Sequence, residues 1–291
     1  MDNKKTEYKT IDLSGWHQVG EGANSDTYMC DDDNLLLKLF KRNATEDTAV
    51  EDYTMAKKVA SLGIVTAAVY EIVKVGDKFG VIYQNIKNKK SYSRLVADDP
   101  ENIREYVKLF AAEVKELHST PCDTELFESR VEMVRKGIDR VKFIKKYKPA
   151  LYELTENMAG CTTCLHGDLQ SGNLIRSEGK NYWIDFDRFS YGDPLFDIAH
   201  MYNAFVTVSW LKYIQNLMHM DKKTLNRFWD IFVEEYAGLT GAEAEEFNRK
   251  LAIYDALDLI QRSYVKPGIV SDLVALIMVR MKLKKYYKYN K

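Results

Sequence analysis

The sequence lacks most of the features that would place it in a special class. No apolar run approaches the ~20 residues needed to cross a bilayer. Residues 1–10 are polar and hold no apolar centre of the kind a signal peptide needs, so the expectation is a cytoplasmic protein. Charge of one sign is also missing. Forty-two Lys and Arg face 43 Asp and Glu, for a net charge of -1, and this removes any bulk electrostatic case for nucleic acid or an anionic membrane as partner. Cysteine is scarce. With four residues, Cys30, Cys122, Cys161 and Cys164, a disulfide framework is not expected in a cytosolic chain of this size. Cys161-x-x-Cys164 invites a metal or redox reading, but no second such pair completes a zinc site, and packing ahead of the loop that follows is the simpler account. There is no internal repeat. The one biased segment is a basic, Tyr-rich end, Lys282 to Lys291, read as a solvated helix terminus.

What remains is an ordinary globular composition, 46% hydrophobic and 29% charged over 291 residues, with ample material for a core. The first third reads as β-rich with one helix. Strands are predicted at Trp16–Val19, Thr27–Cys30 and Leu35–Phe40, and a hairpin at Val69–Val75 and Phe79–Tyr83 around Gly76-Asp77. Asn43, with Glu46 three residues on, has the pattern of a capping box opening a helix that stops at Gly63. From about Ser91 the period becomes helical. Ile103 to His118 marks one amphipathic face, a second helix is predicted from about Glu128 to Lys146, ended by Pro149, and helices dominate the last hundred residues. The expectation is an α+β chain. A β-rich N-terminal nucleotide-binding lobe would take residues 1–87, and a mainly helical catalytic and substrate-binding lobe 88–291. The hinge would fall near Gln84 to Asn88, with ligands in the cleft between the lobes.

Chemistry concentrates in Leu165-His166-Gly167-Asp168-Leu169-Gln170-Ser171-Gly172-Asn173, followed by Trp183-Ile184-Asp185-Phe186-Asp187. An Asp, an Asn after four intervening residues, and a later Asp at the end of an apolar strand match the phosphoryl-transfer loop. There the first Asp meets the acceptor hydroxyl, and the Asn and second Asp hold magnesium. A hairpin turning at Ser177 to Lys180 would place Asn173 and Asp185 at its same end, two oxygen donors of the kind magnesium prefers. His166 reads as a brace for the loop rather than a base, and His118 as core. In the first third, Gly20-Glu21-Gly22-x-x-Ser25 lies between two strands, where glycines let backbone amides approach phosphate oxygens. Lys38 is the one charge in Leu35–Phe40. It is either a phosphate ligand or an edge-strand lysine facing water. Glu51 is the favoured partner for it, with Glu46, Asp47 and Asp52 as competitors.

These residues, with Gly192-Asp193-Pro194-Leu195-Phe196-Asp197-Ile198-Ala199, give a chain that resembles the aminoglycoside phosphotransferase and choline kinase group, small-molecule kinases with a bilobal protein-kinase-like fold. Glycine at 167, where protein kinases carry arginine, is similar to this group. The resemblance implies ATP or GTP as donor, Mg2+ as cofactor, Asp168 as catalytic base, Asn173 and Asp185 as metal ligands, Lys38 on the phosphates, and Asp197 bracing the loop. Asp187 stands where protein kinases have the last glycine of Asp-Phe-Gly. A small hydroxylated acceptor is implied: an aminoglycoside, with choline, another amino alcohol or a sugar as alternatives. For a cationic acceptor the candidate contacts are Asp187 and Asp255, with Asp193 and Asp258 behind them, or an aromatic set from Trp210, Trp229, Tyr254 and Tyr264. Two other readings compete with this one. A protein kinase would need more than the 11 residues that separate Asp185 from Asp197, and an Ala-Pro-Glu run. A non-catalytic nucleotide-binding protein would have lost one of the key polar residues, and none is lost.

Overall fold

The computed structural model describes residues 7–21, 24–30, 34–41, 44–265 and 268–289. In chain order the elements are β1 (Lys9–Thr10), β2 (Trp16–Glu21), β3 (Ser25–Cys30), β4 (Leu35–Phe40), α1 (Glu46–Ser61), β5 (Val69–Val75), β6 (Lys78–Gln84), β7 (Lys90–Ser91), α2 (Tyr92–Asp98), α3 (Ile103–Ser119), α4 (Arg130–Arg140) and α5 (Lys148–Asn157). Then come β8 (Thr163–Leu165), β9 (Leu174–Ser177), β10 (Lys180–Trp183), β11 (Ser190–Gly192), α6 (Leu195–Tyr202), α7 (Lys212–Met218), α8 (Lys222–Ala237), α9 (Gly241–Val265) and α10 (Ile269–Tyr289). The chain divides into two compact units, one of residues 1–90 with 175–187, the other of 91–174 with 188–291.

The first unit is built on a six-stranded sheet in the order β1-β5-β6-β4-β3-β2, antiparallel except where β1 runs parallel to β5. β4 lies inside it, between β3 and β6, so Lys38 is not on an edge: it stands opposite Thr27 on one side and Val81 on the other. Strand alternation sends Leu37 and Leu39 into one layer with Val73 and Ile82. Phe40 goes to the other layer, where Ala49 of α1 and Val81 meet it. Lys38 shares the parity of Phe40 and therefore faces α1. The helix is capped by Thr45, whose N–H donates to the Thr48 hydroxyl (3.3 Å). The cap thus lies at Thr45 rather than at Asn43, which falls outside the described residues.

The hairpin of β9 and β10 turns through Glu178 and Gly179, both in the left-handed region (φ 48° and 84°), as a tight two-residue turn requires. Residues 175–187 belong to the first unit, although the sequence places them among the helices. Trp183 N–H donates to Val65 O (2.9 Å), and Ser177 Oγ to Lys87 O (2.5 Å). These long-range bonds carry no local sequence signal.

The second unit is helical. α3 packs on α8, and α9 is the common partner of α4, α6 and α10. Its core joins Val131, Val134 and Ile138 of α4 to Ile253, Leu257 and Ile260 of α9 and Ala275, Val279 and Leu283 of α10. Gly137 permits the close crossing: a Cβ there would lie 2.8 Å from Ile260 O. The helix predicted from Glu128 to Lys146 is in fact broken. Val141 turns extended (ψ 109°), a 3-10 segment follows over Lys142–Tyr147, and Pro149 opens α5 instead of ending its predecessor. Proline suits a first helical turn, where its missing N–H has no partner to lose.

Candidate active site

The loop between β8 and β9 is held from several directions, all within the second unit. Asp197, in the first turn of α6 and 1% exposed, accepts the backbone N–H groups of His166 (2.6 Å) and Gly167 (2.8 Å) and contacts His118 Nε2 (3.3 Å). Burial alone would raise its pKa, but the bond and charge of His118, with Arg130 and His166, hold it below the ordinary value. His118 Nδ1 reaches Tyr236 OH at 2.8 Å, so this histidine is a satisfied core residue, as its helix face implied. Gly167 has φ 81°, and a Cβ on it would sit 2.0 Å from Arg188 O and 2.4 Å from Arg130 Nη2. No other residue fits at 167, which gives a local physical reason for glycine there. At the far end of the loop Ser93 of α2 donates its N–H to Ser171 O (3.1 Å), and the two hydroxyls meet at 2.7 Å.

This scaffold presents Asp168, whose side chain is 37% exposed. Its Oδ1 pairs with His200 Nε2 at 2.8 Å. Its Oδ2 accepts from Asn173 Nδ2 (3.2 Å) and Gln170 Nε2 (3.3 Å). Partial burial pushes the Asp168 carboxyl up, yet the His200 bond and charge, followed by His166 and Arg188, hold it far below the usual carboxylate range. Asn173 also donates to Asp168 O (2.8 Å). With Nδ2 committed in this way, the amide oxygen is the atom it can offer outward. His166 is fully buried and accepts the Asp168 N–H on Nδ1 (3.3 Å), so it braces the loop. His200 is the residue that sequence reading missed. It sits one turn after Asp197 on α6 and spans two carboxylates, since its Nδ1 lies 3.2 Å from Asp258 Oδ2. The signal was present as a histidine three residues beyond an expected anchor, but nothing local tied it to Asp168.

In the first unit Lys38 Nζ bonds Asp52 Oδ1 at 2.5 Å and lies 3.5 Å from Asp185 Oδ1 and 3.7 Å from Asp187 Oδ1. Burial would lower the Lys38 pKa, but these three carboxylates, Asp52 above all, raise it above its ordinary value. The partner is therefore Asp52, not Glu51. On α1 the residues facing the sheet are Ala49, Ala56 and Val59, and Asp52 continues their spacing at three residues from 49 and four from 56. Glu51, a further 100° round the helix, is exposed. Tyr83 OH also donates to the Asp52 carboxylate, in a short bond to Oδ2. Burial, then the charge of Asp52, pushes the Tyr83 phenol well above its usual range. Asp185 has φ 62°, and its carboxylate and that of Asp187 are more than half exposed.

Gly20 pairs with Thr27 just after a register irregularity at Gln18/Gly20, one residue before β2 ends at Glu21, and Ser25 opens β3 opposite Phe40. Gly22 lies outside the described residues. Asp255 is not available to an acceptor. It is 1% exposed, bound by Asn203 Nδ2 at Oδ1 and by Lys282 Nζ at Oδ2 (2.7 Å). A carboxylate so buried needs such partners, and it serves the packing of α9 on α10. Asp258 is likewise taken, by Arg188 (2.7 Å) and Arg262 (2.8 Å), and Asp193 accepts from Tyr254 OH (2.6 Å). Trp229 is core, Trp210 is 63% exposed, and the side chain of Tyr264 lies outside the described set. All four cysteines are free, and among the described residues no group of three or more His, Cys, Asp or Glu gathers into a metal cluster.

An anchored Asp-Asn loop on a helical unit, and a sheet lysine gripped from the following helix, define a kinase-like phosphotransferase. The model of the phosphotransferase enzyme family (APH) matches residues 15–230, and the chain belongs to that family. Its fold is the protein-kinase-like fold of solved relatives. A thermostable mutant of aminoglycoside phosphotransferase APH(4)-Ia in its apo form superposes with a TM-score of 0.61 at 15% identity, over 95% of each chain. A variant of the same enzyme in ternary complex with ADP and hygromycin B gives 0.59 at 15% identity, over 94% of each. Choline kinase LicA from Streptococcus pneumoniae gives 0.54 at 16%, over 94% of each. In sequence, a LicA homolog of Mycoplasma capricolum subsp. capricolum is 22% identical over 138 residues, 45% of this chain. The match spans little more than half, 58%, of that relative's length.

Proposed function

We propose that this chain is a small-molecule kinase that transfers the γ-phosphoryl group of ATP or GTP to a hydroxyl of a small acceptor. The observation that carries the reading is Asp168, fixed on an anchored loop with both oxygens oriented, Oδ1 by His200 and Oδ2 by Asn173 and Gln170. Phosphoryl transfer runs through a loose transition state in which bonding to the attacking oxygen is slight, so its hydroxyl becomes acidic only late. A strongly basic group is therefore not needed. A carboxylate that stays ionised and points at the hydroxyl suffices, and the depressed Asp168 pKa suits that task. Asp168 orients the acceptor hydroxyl and takes its proton as the new P–O bond forms and the bond to the nucleoside diphosphate breaks.

Lys38 holds the donor phosphates, with Asp52 fixing its ammonium group. Gly20 and Ser25 would bring backbone amides to the same phosphates, the role the sequence also gives Gly22, which lies outside the described residues. Asn173 through its amide oxygen and Asp185 through its exposed carboxylate would hold magnesium, which when bound neutralises phosphate charge. The donor set is all oxygen, as that ion prefers. Asp187, beside Asp185 and within ion-pair range of Lys38, is assigned to the phosphate side of the chemistry rather than to the acceptor. Choline, another amino alcohol or a sugar are the alternatives to an aminoglycoside as acceptor. A protein substrate is disfavoured because only 11 residues separate Asp185 from Asp197, and β11 with the start of α6 takes up five of them.

The test is a coupled assay of ADP or GDP release with magnesium against hydroxylated amines, sugars and aminoglycosides. Acceptor-dependent turnover should appear with one class and fall by about 10²–10⁴-fold in Asp168→Ala. Turnover unchanged in that variant sinks the assignment.

A further inference from the structure

The function proposed above leaves one surface of the helical unit unexplained. On α10, Ile269 (74% exposed), Leu273 (42%), Ile277 (54%) and Met281 (60%) recur every fourth residue. Each step of four turns about 40° round the helix, so the four form a slowly winding row. The opposite side of α10 carries the buried row Ala275, Val279 and Leu283 that packs into the core. Arg280 and Lys284, both exposed, fall within the same outward sector as Leu273 and Ile277. A solvated helix end would not carry a continuous apolar row among its cations.

A second segment extends this surface. The 3-10 turn Lys142–Tyr147 packs on α10 through Ile144, which is fully buried in the same core. Around that anchor Phe143 is 46% exposed, and Lys142, Lys145 and Lys146 are exposed with it. The two segments share a charge bias that the chain as a whole does not have. Residues 140–152 hold five Lys and Arg and no acid, and residues 273–291 hold six and no acid. Of the acids that border them, the two that precede the segments are engaged by cations, while Glu153, which follows residue 152, is exposed. Asp272 bonds Arg140, and Asp139 lies 3.8 Å from Lys148.

We propose that this face, the outer side of α10 with the Lys142–Tyr147 turn, docks on an anionic lipid surface. An apolar row flanked by cations is the chemistry of a helix that lies in the interface plane, apolar side chains inward and Lys and Arg at the headgroups. Polybasic segments on such helices are attracted by anionic lipids. A second copy of this chain is the poorer occupant, because an isologous contact would set this cationic face against itself. Nothing on α10 is long and apolar enough to span the bilayer, so the contact is peripheral.

Flotation of the full-length protein with vesicles tests the idea without reference to kinase activity. One set would be phosphatidylcholine alone, the other phosphatidylcholine with about one third phosphatidylglycerol. The protein should float with the anionic set only. Binding should fall as ionic strength rises from about 0.1 to 1 M, which shortens the Debye length from about 10 to 3 Å. Arg280→Glu/Lys284→Glu, and separately Lys142→Glu/Lys145→Glu, should each weaken partitioning by at least about tenfold. Ile277→Ser/Met281→Ser should weaken it without changing the salt dependence. These residues are surface-exposed, and unchanged circular dichroism and melting would show that each variant is folded. The proposal is overturned if the protein does not float with anionic vesicles, or floats equally with neutral ones. It is also overturned if sedimentation velocity finds a dimer that Ile277→Ser/Met281→Ser dissociates.

Discussion

Asp168 and Lys38 are both charged groups placed by hydrogen bonds, yet the two are held in different ways. The loop around Asp168 is fixed at the backbone by Asp197, at both carboxylate oxygens by side chains, and at Ser171 by the start of α2. Lys38 depends on one short bond to Asp52, itself steadied by Tyr83, with two longer contacts to exposed carboxylates. The first arrangement shares its constraint among many bonds. The second concentrates it in one residue on the face of a single helix. Damage to the loop should therefore register in stability as well as rate, whereas damage around Lys38 should register in nucleotide binding.

The sharpest way to break this contrast is Asp197→Ala. It removes a fully buried carboxylate that serves two backbone donors and His118, so denaturant unfolding should show a loss of about 3–5 kcal/mol. If the variant unfolds like the parent, the loop is not anchored as described. Gly167→Ala comes next. Overpacking against Arg188 O, added to a positive φ, should cost about 2–4 kcal/mol and cut turnover in the fraction that stays folded. On the sheet side, Asp52→Ala should raise the nucleotide Kd by about 10–100-fold, the worth of a charge-assisted bond, with little change in melting. Glu51→Ala should stay within about 0.5 kcal/mol of the parent in both measures. Equal effects at 51 and 52 would mean that the helix register is misassigned.

The smallest expected effect concerns pH. The Asp168 carboxyl is held far below its ordinary value, with His200 the largest favourable cause. For a depressed acid the stabilisation is fully present above the unfolded pKa, about 3.9, and is lost as pH falls toward the folded one. His200→Ala should therefore move the acid limb of the kcat/KM profile upward, toward about pH 4, while the neutral plateau changes less. A profile whose acid limb does not move would remove His200 from its positioning role.

How much of this could be read from the chain alone depended on distance along it. His166, Gly167, Asp168 and Asn173 lie within eight residues, so their spacing carries the loop, and Asp197 follows in a helix-opening run that is itself distinctive. The strands and the helical period of α3 and α8 were legible because apolar periodicity is local. The Lys38 partner was not. Four acids lie in or beside one helix, and only the position of the buried face selects Asp52. Asp255 was misread for a related reason. A carboxylate on a helix looks solvated until a neighbouring helix, here α10 with Lys282, covers it. The break at Val141 and the new start at Pro149 were hidden because proline signals the end of one helix and the start of another equally well. Net charge is a different kind of signal: an average near zero says nothing of segments 140–152 and 273–291, where every charged residue is basic.

The hairpin of residues 175–187 carries one more consequence. It belongs to the first compact unit but is encoded after the first half of the second. On the ribosome the sheet of residues 9–84 emerges early, yet its unit stays incomplete until Asp187 has been made. At about 5–20 residues per second, the interval from residue 90 to 187 lasts roughly 5–20 s. Through that time the nascent chain exposes Val65 and Lys87 carbonyl groups that only the later segment will satisfy. Neither unit can be cut out as a contiguous stretch of gene, and the order of translation makes the loop that carries Asp168 precede the completion of the unit that carries Lys38.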